Sequence, residues 1–120
     1  MPRDPNRFRI PSPESYKRAL LGLLPIHDNH LAVLKANYQA PEHSVTASQL
    51  AAIVGYQNFN AVNLQYGLFA DRLCRSLGKH PDCHLSILAT FEKDGLERQE
   101  HWKLVLRPEV VEALGELGWF

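Results

Sequence analysis

Apolar residues recur every three to four positions through the first two thirds of the chain and every second position after Gly78. The first such run is Tyr16, Ala19, Leu20, Leu23 and Leu24, behind Ser12-Pro13-Glu14. Ser12 reads as an N-cap, Pro13 as the first helical residue and Glu14 as an acid at the positive end of the helix dipole. The pattern predicts a helix to about Leu24, stopped by Pro25. A second helix is expected from Asp28, read as its cap, to Gln39, with Leu31, Leu34, Ala36 and Tyr38 apolar and Pro41 behind it. Thr46-Ala47-Ser48-Gln49 is a capping box opening a short helix, Ala47 to Val54, and Gly55 stands where a left-handed C-cap belongs. After the turn Tyr56-Gln57-Asn58-Phe59 comes a longer helix, from about Asn60 to Leu77, closed by Gly78.

The alternation then gives two strands. Leu85, Ile87, Ala89 and Phe91 form one face of the first, and Trp102, Leu104 and Leu106 one face of the second. Between them Asp94-Gly95 signals a hairpin. Pro108-Glu109 opens a last helix to about Leu117, followed by Gly118 and the aromatic tail Trp119-Phe120. The expected class is α+β, mostly α, in the order α-α-α-α-β-β-α: a basic, flexible arm over residues 1–11 and a single domain over 12–120. The core expected from these patterns holds Leu20, Leu23, Leu31, Leu34, Leu50, Val54, Val62, Phe69, Leu73, Ile87, Phe91, Trp102, Leu104, Val110 and Leu114.

The stretch Thr46 to Leu77 carries the functional signal. A capped short helix, a glycine turn and a longer helix have the shape of a helix-turn-helix, whose second helix enters the major groove while the first crosses the phosphates. The steep crossing needs glycine in the turn and a small residue, Ala51, at the approach. A hairpin directly behind the pair is what a winged form adds. Helix-glycine-helix also occurs in ordinary helical packing, so the pair alone does not decide.

On the longer helix Val62, Tyr66, Phe69, Leu73 and Leu77 make one stripe, read as core-facing. The usual helix-turn-helix spacing would instead bury Ala61 and Leu64; the stripe is preferred because it persists over four turns. Around the start of that helix stand Gln57, Asn58, Asn60, Asn63 and Gln65. Asn and Gln side chains pair with adenine N6 and N7, whereas arginine reads guanine, and no arginine precedes Arg72 here. These residues, with Thr46, Ser48 and Arg72, are the expected contacts to A·T-weighted duplex DNA. Arg7 and Arg9 of the arm, with Arg3, are candidates for an adjacent minor groove. The plain alternative is that Asn58 or Asn60 caps the helix, the other amides are merely solvated and the arm only aids solubility.

Charge refines this picture. The 120 residues balance 13 basic against 13 acidic groups, yet residues 1–79 carry +4 and residues 80–120 carry −4. A balanced total argues against indiscriminate polyanion binding. Glu92 to Glu100 holds four acids and two bases, so a hairpin facing DNA would be repelled; it is expected to face away or toward a protein. No apolar run approaches the roughly 20 residues that span a bilayer, and the N-terminus lacks the apolar stretch of a secretory signal. Cys74 and Cys83 are too few for a disulfide scaffold, so a cytoplasmic protein with reduced thiols is expected. Cys74, His80, Cys83 and His84 offer zinc-ligand chemistry without the paired spacing of structural zinc, so no cofactor is expected. No nucleophile-base set, phosphate loop or carboxylate pair stands out, and no enzyme is expected.

The stretch TASQLAAIVGYQNFNAVNLQYG, with LVLRPEVVEALGELGW near the end, resembles an uncharacterised bacterial helix-turn-helix-like module found alone or joined to HNH-type nuclease domains of restriction-like proteins. The resemblance spans roughly Tyr16 to Trp119 and rests on Thr46, Leu50, Ala51, Gly55, Tyr56, Asn63, Leu64, Gln65, Tyr66 and Gly67. It implies a prokaryotic DNA-binding module in regulation or defence. The nuclease signature is missing: His27-Asp28-Asn29-His30 crowds its residues into four positions, which puts cleavage in doubt and leaves binding. The expected partner is therefore double-stranded DNA, read by a winged-helix-like domain. A protein partner or a second copy is also open; no membrane and no small-molecule substrate are expected. The rival readings are a protein-interaction domain working through the acidic hairpin and aromatic tail, and a non-catalytic accessory unit of a nuclease.

Overall fold

The computed structural model of the chain describes residues 9–79, 81–92 and 102–120. The arm residues Arg3 and Arg7, His80 and the expected Asp94-Gly95 turn lie outside these. Among the described residues five α-helices and three short strands follow one another as α1 (Pro13–Gly22), α2 (Asp28–Gln39), β1 (Ser44–Thr46), α3 (Ala47–Val54), α4 (Phe59–Ser76), β2 (Ala89–Glu92), β3 (Lys103–Leu106) and α5 (Pro108–Leu117). The fold is mostly helical α+β, as the periodicity predicts. The observed order corrects the expected one by inserting β1 between α2 and α3.

Local chemistry sets the helix ends. Ser12 accepts a hydrogen bond from the Ser15 amide, with Pro13 at the first helical position of α1. That helix ends at Gly22, two residues before the expected stop. α2 spans its expected range, but its cap is His27, whose ring accepts from the Asn29 amide; Asp28, expected in that role, is the first helical residue. In α3 the Thr46 hydroxyl accepts from the Gln49 amide at 3.0 Å, and the Thr46 amide donates back to the Gln49 side chain at 2.9 Å. Gly55 closes that helix at φ 85°, a conformation that costs a residue with a Cβ about 1–2 kcal/mol.

The strands form one antiparallel sheet in the order β1-β3-β2, with Val45 opposite Leu104 and Phe91 opposite Leu104 on the other side. The last strand of the hairpin thus returns to pair with the segment that precedes α3. This ties the helix pair to the sheet at both ends. β1 is only three residues long, and both of its flanking turns satisfy its outer amides: Ser44 donates to the Pro41 carbonyl and Thr46 to Gln49.

The core forms where α4 packs against α1, α2, α3 and the segment 81–87. Val62, Tyr66, Phe69, Ala70, Leu73 and Cys74 are its buried face. The predicted stripe is therefore the buried one; Leu77 is half-buried and Leu64 lies in the open. Tyr16 and Leu20 of α1, Val33 and Leu34 of α2, Leu50 of α3, Leu104 and Leu106 of β3, and Val110 and Leu114 of α5 are among the residues packed against it. Lys17 of α1 reaches Glu116 of α5 at 3.3 Å on the surface, an ion pair of small energetic weight.

Two expectations fail in the segment before the hairpin. Residues Pro81–Ile87 form 3-10 turns with a kink at His84 (φ 45°, ψ −144°), so the expected strand loses its first half. Its alternation is broken because Ile87, Leu88 and Ala89 are all buried in succession. Phe91, expected in the core, is exposed: burial along β2 stops at Ala89, and among the described aromatic rings the Phe91 ring meets only the edge of Trp102, 6.3 Å away. Among the described residues no helix is long and apolar enough to cross a membrane.

Candidate nucleic-acid interface

The residues expected to contact DNA gather around the α3-turn-α4 unit. Gln57, Asn58 and Asn60 are exposed at the start of α4, Asn63 and Gln65 are half-buried on its flanks, and Arg72 is exposed two turns further on. Thr46 and Ser48 stand half-buried at the start of α3. Arg9 is exposed, while the neighbouring Ile10 packs against the core.

Their chemistry is not equivalent. The Asn58 side chain accepts from the amides of Asn60 and Ala61 at 3.0 and 3.2 Å, which makes it the N-cap of α4. Thr46 is similarly engaged in its capping box. Gln65 turns toward α2, where its Oε1 lies 3.2 Å from Nε2 of His30. Asn60, by contrast, spends no side-chain polar atom on a hydrogen bond to another described residue, and it faces solvent in the first turn. Beside it on the same outward face are Leu64, Leu68, Asp71, Arg72 and Arg75. Arg75 is paired with Asp71 at 3.3 Å, whereas Arg72 makes no ion pair with another described residue.

Four polar side chains in and around the core that carries this helix make bonds that the sequence pattern does not show. Asn37, fully buried on α2, donates to the carbonyls of His43 and Leu104 at 3.0 and 3.1 Å. Its Oδ1 accepts from the Tyr66 hydroxyl at 2.9 Å. One side chain thus joins α2, α4, β3 and the turn before β1. Burial pushes the Tyr66 phenol far above its ordinary range, so it stays a donor. Tyr16 makes a comparable link, its hydroxyl donating to the Ile87 carbonyl at 2.6 Å.

His30 is the fourth. It is 6% exposed, beside Phe69. With Gln65 Oε1 as acceptor, Nε2 carries the proton, and Nδ1 is buried without a partner among the described residues. Desolvation lowers its pKa; the Gln65 bond opposes this, while His27 and Arg72 add to it. The unfolded chain takes up this proton near the ordinary value of about 6.5 and the folded chain only below it. Stability from this site is therefore full above that value and is lost as pH falls toward the folded pKa. Urea denaturation should show a slope of at most about 1.4 kcal/mol per pH unit in this window that His30→Gln abolishes. An unchanged slope in the variant would assign the effect elsewhere.

Among the described residues no three His, Cys, Asp or Glu side chains converge on a metal-sized site. Of the four zinc candidates, Cys74 is buried on the core face of α4 and His84 is exposed. His80 and the Cys83 side chain lie outside the described set. The aromatic tail packs against α2, Phe120 meeting the Tyr38 ring at 5.8 Å. A groove of about 810 Å³ opens between the end of α2, β1 and α3, with Ala36, Ala40, Ala52 and Ile53 among its walls. Compared with known proteins, the chain matches no family model, no curated protein and no solved structure.

Proposed function

We propose that this chain is a sequence-specific duplex DNA-binding domain of winged-helix-like architecture that reads the major groove with the first turns of α4. The observation that carries the reading is the exposed polar start of that helix. Gln57, Asn58 and Asn60 are exposed beyond a left-handed glycine turn, while the opposite face of the same helix is rooted in the core. Helix N-terminal residues that project from a rigid body are the ones that meet base edges in helix-turn-helix proteins. The sheet order supports the same reading, because a hairpin returning to a strand just before the helix pair is how a wing is attached. α5 carries Glu109, Glu112 and Glu116 with no basic residue, and belongs on the side away from the phosphates. By its resemblance, the setting would be prokaryotic regulation or defence, as a binding module without chemistry of its own.

A protein-interaction domain is the second reading, favoured by Ile53, which is 63% exposed at the wall of the groove between α2 and α3. Salt separates the two. Selection of the full chain against a random duplex library should enrich a motif. Its affinity should fall by about 0.9 log unit per log unit of salt for each phosphate neutralised. Absence of any enriched motif, or binding indifferent to salt, rejects the DNA reading.

A further inference from the structure

We infer that Leu64, seconded by Leu68, reads the 5-methyl groups of thymine; this rests on the DNA reading above and specifies its base preference. Both leucines are on the water side of α4, 61% and 48% exposed. At ~100° per residue Leu64 lies across the helix axis from the buried Leu73, at the centre of the outward face. Singly exposed leucines are ordinary on protein surfaces. Two at i and i+4 are neighbours and make a short apolar ridge along a helix whose flanks are polar.

That ridge has a polar frame. Asn60 stands one turn before Leu64, and Arg72, exposed and without an ion pair to another described residue, stands one turn after Leu68 toward the flank of the ridge. An amide, an apolar ridge and a cation in this order complement an A·T-bearing groove. Asparagine takes adenine through N6 and N7, the thymine methyl is the apolar group a base pair offers in the major groove, and the guanidinium meets phosphate. Successive members are about 6 Å apart along the axis, close to two base-pair steps of ~3.4 Å. Leu64 is in the second turn of the helix, near the end that enters the groove. Arginine or lysine there would select guanine; leucine can form no hydrogen bond, so its discrimination must come from the methyl.

The experiment is selection by the full chain from two random duplex libraries, one synthesised with thymine and one with uracil, which lacks only that methyl. The thymine library should yield an A·T-bearing motif. Replacing the critical thymine of that motif by uracil should weaken binding about fourfold, the effect of one buried methyl. Leu64→Ala should weaken binding to the thymine duplex by a similar factor or more and make the uracil replacement silent. Its exposure means the variant should fold as the parent does, checked by circular dichroism. A motif that is enriched equally from both libraries, or a Leu64→Ala chain still sensitive to uracil, overturns the methyl reading and leaves DNA binding standing. No motif from either library overturns both. A parent dimer that Leu64→Ala disperses in sedimentation without DNA assigns the leucines to self-association and likewise overturns it.

Discussion

Asn37→Ala is expected to remove about 4 kcal/mol of folding stability, because three groups lose their partner at once, two of them deep in the core, and each buried orphan costs roughly 1–3 kcal/mol. The groups are the Tyr66 hydroxyl and the carbonyls of His43 and Leu104. The Tyr66 hydroxyl and the Leu104 carbonyl cannot turn to solvent, because Asn37, Tyr66 and Leu104 are all buried, whereas His43 is only half-buried and its carbonyl adds less. Alanine is the better helix former, but by only about 0.7 kcal/mol. A domain of this size has about 5–15 kcal/mol in total, so the variant would sit near the edge of folding. In urea the midpoint should drop by roughly 2 M at an ordinary m value. Tyr66→Phe orphans a single oxygen and should cost about 1–3 kcal/mol, preserving the same ordering by a milder route. If Asn37→Ala lost less than about 1 kcal/mol, the junction of α2, α4 and β3 would have to be held by packing alone.

That junction shows where sequence patterns stop being informative. The helix ends were legible because capping is a local chemistry: Ser12, Thr46 and Gly55 act on residues three or four positions away. The face of α2 was not. Its apolar members suggest Leu31, Leu34, Ala36 and Tyr38, but the buried stripe is His30, Val33, Leu34 and Asn37. Two polar side chains occupy core positions, Asn37 satisfied by distant elements and His30 bonded through one ring nitrogen to Gln65, and no periodicity records a partner 29, 35 or 67 residues away. In hindsight the signal is a histidine and an asparagine spaced i and i+7 around Val33-Leu34, which completes a helical stripe. β1 was invisible for another reason. A three-residue strand has no room to alternate, and its pairing with β3 is set by the hairpin's return.

The candidate interface divides along the same line. The stripe of α4 was readable because four turns of one helix repeat it, and it fixed by exclusion which face is exposed. Which of the amides are free was not readable. Asn58 and Gln65 are the same chemical type as Asn60, yet the first caps the helix and the second is tied to His30. Only the surroundings separate them: Gln57 and Asn60 are the exposed amides without a hydrogen bond to another described residue, and of these Asn60 is the one inside the helix, whereas Asn58 and Gln65 first hold the fold.

This division makes Asn60→Ala the sharpest functional test. The side chain is exposed in the first turn and makes no hydrogen bond to another described residue, so its removal should leave stability unchanged or raise it slightly through helix propensity. Asn58→Ala should instead lose about 1 kcal/mol of stability as its cap disappears. On DNA the order reverses. A bidentate amide to adenine is worth roughly 1–3 kcal/mol of discrimination, so Asn60→Ala should bind a selected duplex about 5- to 150-fold more weakly while its binding to scrambled duplex stays nearly the same. The scrambled duplex matters because phosphate contacts hold it and no base identity enters. Filter binding with both duplexes, beside urea curves for both variants, gives four numbers that no purely structural role for Asn60 can reproduce. Equal losses on the two duplexes would remove Asn60 from base reading, and a loss of stability in Asn60→Ala would show that the side chain belongs to the fold.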